Sequence, residues 1–262
     1  MKKRVLIDSA LVMSLYVMTL LPGCCINIGD LFKAKCQTTQ QVSVPLKDIN
    51  ELDVDTNVGS ITVTGDDVTD CNITAEITVK AGSEEKARKL AEEVKIEFQS
   101  SDSRLGIKVR KPDSLPDRAL VANFTIRAPK QLNLNCSTHV GSVNISDIKG
   151  RIRASTNVGS IICDQVVADL QLIANVGSIK AKCSDVAPTG CDVEITTNVG
   201  SISFAGPSQM SAQLNASANL GEIRTRRPIT VVGSLKKSIK GTVGTGEGKI
   251  DLRTNIGSIE IE

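Results

Sequence analysis

The 262-residue sequence predicts an all-β protein, a single-domain parallel β-solenoid of short rungs with one inserted or capping α-helix. Three observations predict this fold class. A phrase of the form Asn-Val-Gly-Ser-Ile recurs along the chain, aliphatic residues fall in columns around it, and only 2% of residues are aromatic. A core of Val, Ile, Leu and Ala suits thin, repetitive sheets.

The N-terminus has the pattern of an export signal. Basic residues at positions 2–4 precede an apolar stretch that ends in Leu21-Pro22-Gly23-Cys24. These four residues resemble a bacterial lipobox, in which cleavage leaves a diacylated Cys24 as the new N-terminus. Plain secretion and an uncleaved anchor are the alternatives, because the apolar stretch barely spans a bilayer.

We therefore expect three segments. Residues 1–23 form the signal peptide, residues 24–41 the lipidated cysteine and a tether, and residues 42–262 the solenoid domain. The domain then lies outside the cytoplasm, in the periplasm or at the cell surface, lipid-anchored to a membrane. The 31 basic residues nearly balance the 29 acidic ones and predict no nucleic-acid partner.

The phrase sets the period of the rungs. Copies and close variants lie at 57–61, 139–143, 157–161, 175–179, 198–202, 219–223 and 255–259. From Gly141 onward its glycines are 18, 18, 23, 21 and 36 residues apart, so one period lacks a clear phrase. We interpret 241–248 as its degenerate form.

Aliphatic residues stand seven positions before every glycine of the phrase. They are Leu52, Leu134, Ile152, Leu170, Val193, Leu214 and Ile250. They alternate with polar positions, which predicts short strands with one buried face. Stacking such strands at about 4.8 Å brings each column into register with itself.

The phrase itself predicts a corner between two strands. Gly can adopt the positive φ that a tight corner needs, and stacked Asn amides can bond from rung to rung. A ligand-binding array is the alternative. The predicted corner ladder comprises Asn57, Gly59, Asn157, Gly159, Asn175, Gly177, Asn198, Gly200, Asn219, Gly221, Asn255 and Gly257.

One segment, at about 83–94, departs from the strand pattern. Ser83 is a suitable N-cap, acidic residues follow it, and apolar residues recur at helical spacing. We predict an amphipathic helix that covers an open end of the stack.

The order of parts resembles the bacterial putative-adhesin domain family, a domain of unknown function. The order is an early Gly phrase, a strand, a helix, two strands, the segment Phe124-Thr125-Ile126-Arg127-Ala128-Pro129-Lys130, and then tandem Gly-turn rungs. The resemblance covers roughly residues 42 to 262. It implies export, often with membrane anchoring, and it brings no ligand.

Seven cysteines remain after Cys24, an odd number that excludes complete internal pairing. Three of them, Cys71, Cys136 and Cys163, share the parity of apolar columns and are expected to be buried. Cys183 and Cys191 flank Pro188-Thr189-Gly190 inside the period that stretches to 23 residues, and we predict a disulfide between them. Cys25 with Cys36 is a second pairing that export would allow.

The sequence offers no catalytic arrangement, because His139 is the only histidine and stands in the Asn column. We expect no enzyme, metal or cofactor, and a monomer with a binding or scaffolding role toward an unknown envelope ligand. A self-assembling envelope protein and a β-helix enzyme acting on polysaccharide are the alternatives.

The few aromatic residues disfavour saccharide binding on aromatic platforms. We expect a binding site at the predicted helix and at the 183–191 loop.

Overall fold

The computed structural model describes residues 34–101, 103–231 and 237–262. The first half contains β1 (Ala34–Pro45), β2 (Glu51–Val58), β3 (Ile61–Asp66), β4 (Asp70–Ala81), α1 (Glu84–Glu93), β5 (Lys95–Ser101), β6 (Arg104–Arg110), a 3-10 turn (Asp117–Ala119), β7 (Leu120–Pro129), β8 (Asn133–Val140) and β9 (Val143–Ser146). The second half contains β10 (Ile152–Val158), β11 (Ile161–Val166), β12 (Leu170–Val176), β13 (Ile179–Cys183), β14 (Val193–Val199), β15 (Ile202–Ala205), β16 (Ala212–Leu220), β17 (Ile223–Thr225), β18 (Thr230–Val231), β19 (Ser238–Val243), β20 (Gly248–Ile256) and β21 (Ile259–Ile261).

These strands form two sheets with the core between them. Within the described residues, the corner sheet has the order β18-β19-β16-β20-β14-β12-β10-β8-β2-β6-β5. The opposite sheet has the order β1-β4-β7-β3-β9-β11-β13-β15-β21-β17. Each regular rung contributes one strand to the corner sheet, turns at a glycine, and contributes the next strand to the opposite sheet. The predicted all-β solenoid with a single helix is confirmed.

The aliphatic columns are in register, as predicted. Ile152 pairs with Leu134 on one side and with Leu170 on the other, in parallel ladders. All seven members of this column are at most 3% exposed. Burial of an aliphatic side chain contributes about 1.5–3 kcal/mol. Because the column repeats in every rung, the stack has one continuous core.

The rungs do not stack in chain order. Strand β20 lies between β14 and β16, and β21 lies between β15 and β17. Residues 238–243 form an antiparallel strand beside β16, and a turn leads from it into β20. The interpretation of 241–248 as a degenerate rung is therefore wrong: the chain uses this segment to return and insert its last rung.

The N-terminal end of the stack is closed by antiparallel strands and the helix. Strand β1 pairs with β4 along its whole length. The domain therefore starts before the predicted boundary at 42, and part of the expected tether is a strand.

The backbone N–H of Lys86 donates to the Ser83 hydroxyl at 3.3 Å, and this cap starts α1. Ala87 and Ala91 of the helix pack on Ile77 in a separate small core.

Candidate functional site

A column of glycines forms the corner of the stack. In spatial order they are Gly59, Gly141, Gly159, Gly177, Gly200, Gly257 and Gly221, with φ between +145° and +152°. A Cβ on Gly177 would overlap the carbonyl oxygen of Gly159, one rung away. Glycine is therefore needed both for the positive φ and for the close approach of successive rungs.

Buried threonines support the same corner from inside the core. Hydroxyls three positions before the glycine donate to the glycine carbonyl one rung away, each at 2.9 Å: Thr138 to Gly59, Thr156 to Gly141, Thr197 to Gly177 and Thr254 to Gly200. Ala174 and Ala218 take this position in two rungs. This column was not predicted from the sequence, although a hydroxyl residue recurs there at the same inward-pointing position.

The asparagines form a chain of side-chain hydrogen bonds on the outer side. Asn175 donates to Asn157 at 2.9 Å, Asn198 to Asn175 at 3.3 Å, Asn255 to Asn198 at 3.2 Å and Asn219 to Asn255 at 2.8 Å. Among the described residues Asn57 lies outside this chain, because the rung of His139 stands between Asn57 and Asn157.

A groove of about 960 Å³ follows this corner along the stack. One side carries the Asn column with His139. The other carries the outward side chains four positions before the glycine, namely Asp55, Ser137, Ser155, Ile173, Thr196, Arg253 and Ser217. At the N-terminal end the groove is bounded by Lys108, Lys111 and Asp117, and Lys111 pairs with Asp117 at 3.1 Å.

Ile173 is the exception among these polar positions. It is 46% exposed, and it lies between Ser155 and Thr196 in the middle of the groove. An aliphatic residue at an outward position of a strand was visible in the sequence as a break in the alternation.

An exposed aliphatic column lies beside the asparagines, at the position directly before each glycine. Its members are Val140, Val158, Val176, Val199, Ile256 and Leu220, which are 38–61% exposed. Contiguous exposed apolar side chains mark surfaces that contact other molecules. The regular corner therefore has the features of a binding surface, and a site at the helix or the 183–191 loop stays a prediction.

Cys183 and Cys191 lie together at the stretched period. Both are buried free thiols in the structure. The Cys183 thiol hydrogen-bonds to Cys191 and lowers the pKa of Cys191 to about 7, and Cys191 donates to the Pro188 carbonyl at 3.2 Å. Burial raises the pKa of Cys71 and Cys163 to about 12. The two thiols are therefore neighbours, and a disulfide between them stays a prediction.

Cys24 and Cys25 lie outside the described residues. In the part of the chain that the structure describes, no helix is long and apolar enough to cross a membrane. The same residues contain no group of three His, Cys, Asp or Glu side chains that could hold a metal ion.

The two-sheet solenoid and its groove along the stacked rungs place the protein in the class of repeat proteins that present an extended surface. The chain belongs to the Toastrack DUF4097 family, whose model matches residues 27–262. The resemblance to the putative-adhesin family is thereby confirmed, and the family is a domain of unknown function.

Solved structures from other bacteria are similar to the chain to different degrees. A putative cell adhesion protein from Clostridium sporogenes aligns with a TM-score of 0.54 at 12% identity, covering 86% of this chain and 98% of that one. A putative adhesin from Bacteroides fragilis aligns with a TM-score of 0.34 at 13% identity, covering 86% and 97%. The first likeness shows a shared fold, and the second adds no further support. No curated protein matched the chain.

Proposed function

We propose that this protein is exported, is held at a membrane by a lipid on Cys24, and binds or scaffolds a component of the cell envelope without catalysis. The observation that carries the proposal is the corner face. Over seven stacked rungs it carries six asparagine amides, four outward hydroxyls and six exposed aliphatic side chains, beside a groove of about 960 Å³. The similar fold of a protein described as a putative cell adhesion protein agrees with a surface role.

The chemistry of the groove favours binding over catalysis. Its middle rungs offer amides and hydroxyls, which bind ligands but are poor general acids and bases at neutral pH. Its carboxylates, Asp55 and Asp117, lie toward one end, where Asp117 is paired with Lys111. A screen with uronic-acid polymers tests this part of the proposal, because turnover of a single substrate would show an enzyme.

The lipid anchor has a matched control in the neighbouring cysteine. We expect Cys24→Ala to release the protein from the membrane fraction, because the acyl chains are then missing, whereas Cys25→Ala leaves it there. Labelling with a radioactive fatty acid and fractionation of cells measure both. Retention of the Cys24→Ala variant with undiminished yield would exclude the lipid anchor.

The binding face is tested with two exposed isoleucines. Ile173 lies in the groove and is 46% exposed, and Ile162 lies on the outer face of the opposite sheet and is 41% exposed. We expect purified envelopes to capture the protein without its lipid, and Ile173→Arg to weaken capture while Ile162→Arg does not. Equal capture of both variants would place the binding face elsewhere.

We expect the protein to be a monomer. The helix and antiparallel strands cover the N-terminal end of the stack, and β18 and β19 extend the corner sheet at the other end. The helix at one end and the very short edge strands β17 and β18 at the other oppose end-to-end stacking. Sedimentation at increasing concentration measures this, and ordered polymers would favour a self-assembling structural protein instead.

A further inference from the structure

We infer that the groove binds a linear, uncharged polysaccharide that lies extended along the stack. This inference names the ligand class for the binding face and rests on the proposed function. Four features of the groove support it: its repeat distance, its hydrogen-bonding groups, its charge and the position of Ile173.

The repeat distance of the groove matches a chain of sugar rings. Seven corner residues line it, Asn57, His139, Asn157, Asn175, Asn198, Asn255 and Asn219, one from each rung. Neighbouring strands lie about 4.8 Å apart, so this row is about 29 Å long. In a ribbon-like β-1,4-linked polysaccharide, successive rings advance by nearly the distance between rungs. Because alternate rings are turned over, the same face of a ring recurs at about every second rung. An extended peptide repeats on one face at about 6.7 Å and would lose register within two or three rungs.

The asparagine ladder leaves hydrogen-bonding groups free for such a ligand. A carboxamide has two N–H donors and one oxygen with two lone pairs. In Asn175, one N–H is donated to Asn157 and the oxygen accepts from Asn198. Its second N–H and second lone pair are not used by the ladder. The same holds at Asn198 and Asn255, so free donors and acceptors recur at these three rungs.

A row of hydroxyl groups lies beside the asparagine column in the groove. Ser137, Ser155, Thr196 and Ser217 form this row, and the Ser155 hydroxyl lies 3.3 Å from that of Ser137. Sugar hydroxyls both donate and accept, and parallel rows of amides and hydroxyls complement them.

The charge of the groove selects a neutral chain. From Ser137 to Thr196 its lining carries no Lys, Arg, Asp or Glu, and the charged residues stand toward its ends: Asp55, Lys108, Lys111 and Asp117 at one, Arg253 at the other. A polyanion would need basic residues along its path. Ile173, central and exposed, can contact the apolar C–H face of a ring.

Without an aromatic platform, each sugar gains little by itself, and the groove gains affinity by adding rungs. We therefore expect isothermal titration with cello-oligosaccharides and chito-oligosaccharides to show affinity that rises with each added sugar and levels off once the seven rungs are filled. The two series distinguish a hydroxyl-only ribbon from an N-acetylated one. Oligogalacturonates of equal length, which are charged, should bind more weakly.

The matched isoleucine variants complete the test. Ile173→Arg should lower the affinity for the longest neutral oligosaccharide about tenfold or more, because a charge replaces the apolar contact, whereas Ile162→Arg should leave it unchanged. Thermal unfolding of both variants confirms that each is folded. Absence of binding by both series, affinity independent of length, preference for oligogalacturonates, or equal effects of the two variants would overturn the inference. If envelopes still capture the protein through Ile173 while neither series binds, the proposed function stands and the polysaccharide is wrong.

Discussion

Asn219 donates its side-chain amide to Asn255 at 2.8 Å, although 36 positions separate them in the chain. The bond joins β16 to β20, the first strand of the last rung, which lies between β14 and β16. The final rung therefore lies inside the asparagine ladder and not at its end, because Asn198 is bonded to Asn255 and not to Asn219. The stack depends on its C-terminus in a way that a solenoid wound in chain order does not.

Two buried leucines test this order. Leu252 packs between Ile195 and Ala216 inside the stack, whereas Leu214 has Ile250 on one side and Gly241 of the antiparallel cap on the other. We expect Leu252→Ala to lower the free energy of unfolding by about 4 kcal/mol and Leu214→Ala by about 2–3 kcal/mol, because the interior cavity relaxes less. Urea unfolding measures both. The reverse ranking would indicate rungs stacked in chain order.

The glycine column predicts that a Gly→Ala substitution lowers stability at the corner but not at an open position. We expect Gly177→Ala to destabilise the protein by about 2–4 kcal/mol, since φ is +150° and the new methyl group would overlap the Gly159 carbonyl. Gly82→Ala is the matched control, because no atom lies within 4 Å of a Cβ placed there. The prediction is measured by urea unfolding or by the soluble yield. Similar stability of the two variants would contradict the glycine column as described.

The threonine column predicts a stabilising substitution. Ala174 occupies the position at which Thr156 and Thr197 donate to a glycine carbonyl one rung away. In the Ala174→Thr variant the hydroxyl should donate to the Gly159 carbonyl and raise the free energy of unfolding by about 0.5–1 kcal/mol. Ala174→Val, of equal shape but without the hydroxyl, is the control. If the two variants are equally stable, the hydrogen bond contributes nothing at this corner.

The cysteine pair predicts a pH-dependent oxidation. The Cys183 thiol lowers the pKa of Cys191 to about 7, so the Cys191 thiolate, which is the reactive form, increases as pH rises through that value. We expect the Cys183–Cys191 disulfide to form faster above pH 7 than below it, and to stabilise the protein by about 2–3 kcal/mol. Peptide mapping without reductant identifies the bond. Finding Cys183 alkylated as a free thiol in the exported protein would refute the pairing.

The regular parts of this fold were predictable because they are local. Alternation along each strand and the column of Leu52, Leu134 and Ile152 identify strands, their buried face and their period. Ser83 and the acidic residues after it identify the helix to within one residue at each end. The corner follows in the same way, because the φ of a glycine is a property of its own backbone.

The tertiary structure alone decided which rungs are neighbours and where the groove lies. All rungs offer nearly the same aliphatic column, so β20 can pair with β14 or extend the stack beyond β16 without any change in its pattern. The return of the chain through β19 settles that choice. In the same way each rung has an Asn or His at one outward position, and five of the seven rungs have Ser, Thr or Ile at a second outward position. Only stacking aligns these residues into two parallel rows, because residues 18 or more positions apart become neighbours through the parallel ladders.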